Sequence, residues 1–294
     1  MNKVGFIGVG IMGKSMVRNL MKAGFELHIY ARTKSKVEDV ISEGAQFHES
    51  IKDCVQDCDA VITIVGFPQD VEEVYFDEGN ILDSAKKGAY LIDMTTTSPQ
   101  IAEKIYEEGT KRGFHVMDAP VTGGDTGAKA GTLSILVGGE KEDYEACMPL
   151  FEAMGTNINY QGKAGCGQHC KLANQIMIAG TLSGVCEALT YAKEQGLDPE
   201  VFMKSVATGA AGSKQLDTFG PKILKDDYAP GFFMKHFIKD MKLALIEANR
   251  KGLSLDVLSM VLANYEELEQ EGYGDLGTQA LMKFYDEEHR NMEE

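Results

Sequence analysis

The sequence predicts an α/β chain in two parts: a doubly wound parallel sheet, then an all-helical half entered through one long helix. Two observations carry this. Over the first 162 residues, short apolar runs alternate with amphipathic stretches, the pattern of parallel strands crossed over by helices. Beyond Gly162, apolar residues recur at helical spacing and no strand is legible. The expected division is therefore 1–162 and 163–294.

In chain order, strands are expected at 3–7, 26–30, 60–65, 90–93, 114–118 and 132–137, each a short apolar run. Helices are expected between them, at 15–23 and 99–112 for example, and one at 141–154. The long helix runs from about 167 to 195, which at ~1.5 Å per residue spans roughly 40 Å. Gly180 and Gly184 inside it each cost stability relative to alanine. Their four-residue spacing suggests close packing against another helix, within the chain or across a dimer. Further helices follow at 199–208, 238–251 and 255–271, punctuated by Gly196, Gly212, Gly220 and Gly252. The charged tail, 286–294, is expected to fray.

Composition narrows the function classes. With 44% hydrophobic and 25% charged residues the chain can bury a substantial core. Its net charge of −16 argues against nucleic acid or an anionic membrane as a partner, since both call for a positive surface. A small anionic ligand needs only a local cationic pocket. No apolar run is as long as a membrane span, and the N-terminus lacks the pattern of a signal peptide. The six cysteines form no CxxC pair. Cys54/Cys58 and Cys166/Cys170 have helical spacing without nearby histidines, which favours buried free thiols over a metal site. The expectation is a cytoplasmic protein with no metal.

Gly8-Val9-Gly10-Ile11-Met12-Gly13 is a G-x-G-x-x-G motif. Alone it is weak, but here it follows a strand and opens a helix, the context of a dinucleotide fingerprint. Gly8 permits the tight turn, Gly10 lets the backbone approach a pyrophosphate, and Gly13 lets the helix pack on the strand. The helix N-terminus, with Ile11 and Met12 in its first turn, then turns unpaired N–H groups toward the phosphates. At the end of the second strand an NAD site usually carries an acid for the ribose 2′-hydroxyl. Tyr30-Ala31-Arg32-Thr33-Lys34-Ser35-Lys36 has none. Arg32, Thr33 and Lys36 suit a 2′-phosphate, so NADP is the expected cofactor and NAD the weaker candidate. Read otherwise, the stretch is a solvated basic loop.

Two further stretches carry candidate chemistry. Asp118-Ala119-Pro120-Val121-Thr122-Gly123-Gly124 ends a strand in a hydroxyl and a diglycine, donors for an anionic group beyond the carboxyl edge of the sheet. Such residues also make ordinary turns. Gly165-Cys166-Gly167-Gln168-His169-Cys170-Lys171-Leu172-Ala173-Asn174-Gln175 opens the long helix. Lys171, Asn174 and Gln175 stand at i, i+3 and i+4 and share one face. A lysine near a helix start opposes the macrodipole and, if desolvated, serves as an acid/base at neutral pH. Taken alone, a helix lysine is more often a solvated surface residue.

Together with Asp93-Met94-Thr95-Thr96-Thr97-Ser98-Pro99 and Phe237-Ile238-Lys239-Asp240-Met241, these stretches resemble the β-hydroxyacid dehydrogenase family. That family includes 3-hydroxyisobutyrate dehydrogenase, tartronate semialdehyde reductase and the glyoxylate/succinic semialdehyde reductases. The resemblance covers nearly the whole chain. It implies a Rossmann domain, a long interdomain helix and an all-helical C-terminal domain for substrate and oligomerisation, assembled as a homodimer or homotetramer. It further implies that Lys171 is the acid/base, that Asn174 or Gln175 orients the substrate, and that Thr122, Gly123 and Gly124 hold its carboxylate. Thr95 and Thr96 would face the cofactor. Lys239, also near the cofactor, and Asp240 would close the pocket.

The chain departs from the family pattern in places. Thr95 and Thr122 stand where serine is usual, and Gln175 where asparagine is common. Lys214, after Ser213, either recognises a second anionic group or points into solvent. The rivals are an imine reductase of the same architecture and a non-catalytic NADPH-binding scaffold; both predict loss of the lysine that Lys171 supplies. A 6-phosphogluconate dehydrogenase would need a longer helical domain. Glyoxylate, succinic, tartronate and methylmalonate semialdehydes share one carboxylate anchor, and a methylene distinguishes them by only ~1–3 kcal/mol. NADP preference tilts the direction toward reduction.

Overall fold

A computed structural model describes residues 1–285. The charged tail expected to fray, 286–294, lies outside the described residues. The chain divides into two compact units, Met1–Lys171 and Leu172–Glu294, so the division falls inside the long helix, Cys166–Glu194.

Among the described residues of the first unit, nine strands form one sheet: β1 Lys3–Ile7, β2 Glu26–Tyr30, β3 Gln46–Phe47, β4 Ala60–Thr63, β5 Tyr90–Asp93, β6 His115–Asp118, β7 Val121–Thr122, β8 Leu133–Gly139 and β9 Gly155–Gly162. The order is β3-β2-β1-β4-β5-β6-β8-β7, with β9 on β8. Pairs from β3 to β6 are parallel; β8 runs antiparallel to β6 and β7 and parallel to β9. The strand order reverses between β1 and β4, and a doubly wound sheet binds ligands beyond the carboxyl ends at such a point.

Both faces of the parallel strands are covered, and their residues alternate between two cores. Val4, Phe6, Ile62 and Ile92 pack with Met16 and Leu20 on one face. Ile7, Val61 and Leu91 pack with Val55, Tyr75 and Ile105 on the other. The second unit has its own core, in which Leu182, Leu189, Phe237, Met241, Val261 and Tyr265 meet between helices Cys166–Glu194, Met234–Arg250 and Asp256–Gln270.

Several expectations are corrected. The helix expected at 141–154 is two, Lys141–Ala146 and Met148–Met154. Pro149, near the start of the second, has no N–H to continue the first ladder. The first helix begins at Ile11, so Gly13 lies inside it. Strand β9 and the short helix Gly124–Ala130 were not anticipated; β9 is polar and largely exposed, so it carries no apolar signal. Helix Lys214–Ile223 was hidden by Gly220 and Pro221, yet Ser213 caps it by accepting from the Leu216 N–H at 3.1 Å. Cys166 and Cys170 are half-buried rather than buried. The four other cysteines are buried as expected.

Of the close packing expected at both glycines of the long helix, within the chain or across a dimer, none is found among the described residues. A Cβ on Gly180 would meet Val257 at an ordinary 3.6 Å, and one on Gly184 would meet nothing within 4 Å. Both line an apolar groove with Phe202, Val206 and Leu216. The long helix also passes the length and hydropathy test for a membrane span, contrary to the expectation that no segment does; 44% of its most apolar window is buried inside the protein. Its large apolar residues, Leu172, Ile176, Ile178, Leu182, Val185 and Leu189 among them, are interrupted by Asn174, Gln175, Ser183 and Glu187.

Candidate active site

The fingerprint glycines differ in what demands them. Gly8 has φ +97°, and a Cβ there would lie 2.1 Å from the Ile64 carbonyl oxygen. A Cβ on Gly13 would lie 2.1 Å from the Gly8 carbonyl oxygen. Gly10 has open space on its Cβ side. It precedes helix Ile11–Lys22, which has no side-chain cap and no acid in its first turn. Packing thus requires Gly8 and Gly13, while Gly10 leaves a cradle at an uncapped helix N-terminus. The exposed Ile11 flanks it and Met12 is half-buried. These residues fit a dinucleotide pyrophosphate.

The basic loop after β2 is less one-sided than its sequence. Arg32, Thr33 and Lys36 are exposed, as a 2′-phosphate site requires. However, Asp70 accepts a hydrogen bond from the Arg32 guanidinium, and Glu73 lies 3.6 Å away. The Asp70 bond raises the arginine's already high proton affinity. Both acids sit on helix Pro68–Phe76, remote in sequence, so the absence of an acid at 30–36 described only the local chain.

At the carboxyl end of β5 the loop is fixed from several sides. Asp93 accepts from the Thr63 hydroxyl at 2.7 Å and the Thr95 N–H at 3.1 Å. Burial pushes its carboxyl up to about 6, against those two bonds. The Thr95 hydroxyl accepts from the Val65 N–H at 3.0 Å, which ties the loop to the one after β4. Thr95 is buried and Thr96 half-buried.

The residues that open the long helix, up to Lys171, belong to the first unit and are bonded to its sheet. Asp118, at the end of β6, accepts from the Gly165 and Gln168 N–H groups, each at 2.8 Å, and so satisfies two donors of the helix start. Burial raises the Asp118 carboxyl above its ordinary value, and these two bonds oppose the rise. The approach is close: a Cβ on Gly167 would lie 2.3 Å from the Leu136 carbonyl oxygen, and one on Gly138 would lie 2.5 Å from Asp118 Oδ1. The Gln168 amide bonds the Thr95 carbonyl at 2.7 Å and the Thr97 N–H at 3.0 Å. Lys171, one turn later, is 7% exposed rather than solvated. Neither Asp118 nor Gln168 was singled out from the sequence. Both lie inside quoted motifs, but their partners are 47 to 73 positions away.

At the end of β7, Thr122 is half-buried, and Gly123 and Gly124 after it have φ of +131° and +64°. A Cβ on Gly124 would meet nothing within 4 Å. That backbone suits glycine and leaves room for a ligand's approach.

In the second unit the remaining predicted residues form one chain. The Asn174 amide donates to Gln175 Oε1 at 2.8 Å, and the Gln175 amide donates to Asp240 Oδ2 at 2.7 Å. Lys239 Nζ lies 3.0 Å from Asp240 Oδ1, off its hydrogen-bonding direction. Asp240 is fully buried and Gln175 2% exposed, whereas Asn174 is half-buried. Gln175 is engaged at both ends, so Asn174 is the more accessible carboxamide. Lys214 is exposed at the head of its helix.

Residues 3–162 match the family model of the NAD binding domain of 6-phosphogluconate dehydrogenase. Residues 165–285 match that of the NAD-binding domain of NADP-dependent 3-hydroxyisobutyrate dehydrogenase. A probable mitochondrial 3-hydroxyisobutyrate dehydrogenase-like protein of Arabidopsis thaliana is 44% identical over 95% of this chain and 84% of its own. The 2-hydroxy-3-oxopropionate reductase of Escherichia coli is 38% identical over 86% of each chain. A solved 3-hydroxyisobutyrate dehydrogenase of Mycobacterium tuberculosis, in complex with L-serine, superposes with TM-score 0.88 at 26% identity, over 96% of this chain and 98% of that one. With its dinucleotide cradle, its buried helix lysine and these matches, the chain belongs to the β-hydroxyacid dehydrogenase family, as an NAD(P)-dependent oxidoreductase of the 3-hydroxyisobutyrate dehydrogenase type.

Proposed function

We propose that the protein interconverts a short β-hydroxy acid and its semialdehyde, prefers NADP over NAD, and uses Lys171 as the acid/base. The observation that carries the reading is the burial of Lys171 on a helix whose first turn is bonded to the loop after β5. A lysine recruited only for solubility has no reason to be 7% exposed. The named relatives support the substrate class: one is a reductase of 2-hydroxy-3-oxopropionate and others are 3-hydroxyisobutyrate dehydrogenase-like.

Gly8, Gly10 and Gly13, with the N–H groups at Ile11 and Met12, would hold the pyrophosphate. Arg32, Thr33 and Lys36 would hold a 2′-phosphate, and Arg32 must share its fork with Asp70 to do so. When bound, the nicotinamide cofactor supplies or accepts the hydride. In the reductive direction Lys171 Nζ gives a proton to the carbonyl oxygen as that oxygen gains charge, and in oxidation it takes the proton back. Thr122, Gly123 and Gly124 anchor the carboxylate. Asn174 orients the substrate, while Gln175 holds Asp240, and Asp240 holds Lys239.

The protein is proposed to act as a homodimer or homotetramer in the cytoplasm. Met177 and Tyr191 on the long helix are 74% and 68% exposed, and Val257 and Met260 on helix Asp256–Gln270 are 59% and 52% exposed. That much apolar surface favours a covering copy. The free cysteines suit a reducing compartment. An initial-rate screen of the four semialdehydes with NADPH and NADH tests the reading. Turnover of at least one, faster with NADPH, is expected; no turnover of any contradicts it.

A further inference from the structure

We propose that Gln168 is a positioning residue that clamps the loop after β5 to the helix carrying Lys171, so that the acid/base and the cofactor-side loop keep one register. The inference rests on the reading of Lys171 as acid/base. Gln168 is fully buried and both ends of its amide are engaged by a single loop. Its oxygen accepts from the Thr97 N–H at 3.0 Å and its nitrogen donates to the Thr95 carbonyl at 2.7 Å. An amide presents a donor and an acceptor side by side at its tip without a titration step, which is what these two backbone groups require.

The loop so held lies beyond the carboxyl end of β5, next to the point where the strand order reverses. A dinucleotide binds a doubly wound sheet at that edge. Thr95 is also bonded to Asp93 and to Val65, which ties the loops after β4 and β5 to each other. Gln168 is their bond to the helix, and its own N–H is fixed by Asp118. Lys171 stands three positions further on the same helix face, about 4.5 Å along the axis. A tilt of the helix start against the loop therefore displaces Lys171 relative to anything the loop contacts.

The competing role is purely structural: Gln168 would satisfy two buried backbone groups and nothing more. Two substitutions separate the roles. Gln168→Leu removes both bonds. Gln168→Glu keeps the acceptor for Thr97 but sets a second oxygen against the Thr95 carbonyl, unless that carboxyl is protonated. Burial beside Asp118 raises the pH at which it takes up a proton.

The experiment compares kcat, KM and NADPH affinity of wild type, Q168L and Q168E from pH 5 to 8, using a semialdehyde that the wild type reduces. The clamp predicts that Q168L loses on the order of 10²-fold in kcat at every pH, with substrate KM and NADPH affinity changed about 3-fold or less. Q168E should be as slow at pH 8 and regain about 10-fold relative to wild type at pH 5. Wild-type kcat in soluble Q168L, or a Q168E-to-wild-type ratio that does not vary with pH, overturns the clamp and leaves a structural amide. If Q168L does not fold, the pH dependence of Q168E decides alone. An inactive wild type overturns the functional reading and the clamp with it, whereas an active wild type beside unaffected variants overturns the clamp only.

Discussion

Replacing Gln175 with leucine isolates the polar chain of the second unit. Leucine has nearly the same volume, so the change is mainly the loss of one donor and one acceptor. Asp240 has 0% exposure and cannot recruit water when its 2.7 Å bond from Gln175 disappears. A hydrogen bond to a charged group is worth about 1.5–3 kcal/mol. The Asn174 amide also loses its acceptor, but it is half-buried and can turn to solvent. The 2%-exposed site accepts leucine's apolar carbons and returns part of the loss. The net expectation is about 2 kcal/mol of destabilisation. Because two compact units need not unfold together, the measurement is a double-mutant cycle with Asp240→Asn by urea unfolding, not a single midpoint. The pair should couple by about 1 kcal/mol or more. A Q175L protein within about 0.5 kcal/mol of wild type, or strict additivity, would refute the claim that Gln175 serves Asp240.

Three further outcomes follow from the same structure. Gly10→Ala should leave the melting temperature unchanged and weaken dinucleotide binding, because its Cβ enters open space; Gly13→Ala should destabilise the fold, because its Cβ meets the Gly8 carbonyl oxygen at 2.1 Å. Thermal melts with cofactor titrations check both, and identical behaviour would contradict the assignment. Arg32→Asp should weaken NADPH binding by about 100-fold or more and NADH binding only slightly, as it adds a third acid beside Asp70 and Glu73; fluorescence titration with both cofactors decides, and equal losses would rule out a 2′-phosphate contact. Asp93 has a folded value of about 6 against an ordinary 3.8, so the native state binds more protons and its contribution is present below pH 4 and lost as pH rises through 6. That span is worth roughly 3 kcal/mol, and Asp93→Asn should remove it, gaining on wild type between pH 4 and 7.5 in urea unfolding; a constant difference would show that Asp93 does not titrate there.

The elements legible in the sequence were those whose signal is local. The strands at 3–7, 26–30 and 90–93 have the bounds their apolar runs predicted, because both faces of each are buried. Strand β9 was not legible, since its exposed residues give it no apolar pattern. Pro221 is tolerated inside a helix that a proline rule would end. The site divides the same way. Gly8, Gly10 and Gly13 were read from spacing and Lys171 from the family resemblance, whereas Gln168, Asp118 and Asp70 act through partners 38 to 73 residues away. Spacing placed Asn174 and Gln175 on one face but could not rank them; the buried Asp240 draws Gln175 inward.

The account rests most heavily on Lys171. Its direct test is the turnover of Lys171→Ala with a semialdehyde that the wild type reduces, measured beside the NADPH affinity of the same protein. The account predicts a fall of about 10²- to 10⁴-fold in kcat with NADPH affinity within about 3-fold of wild type. Turnover near the wild-type rate would contradict it.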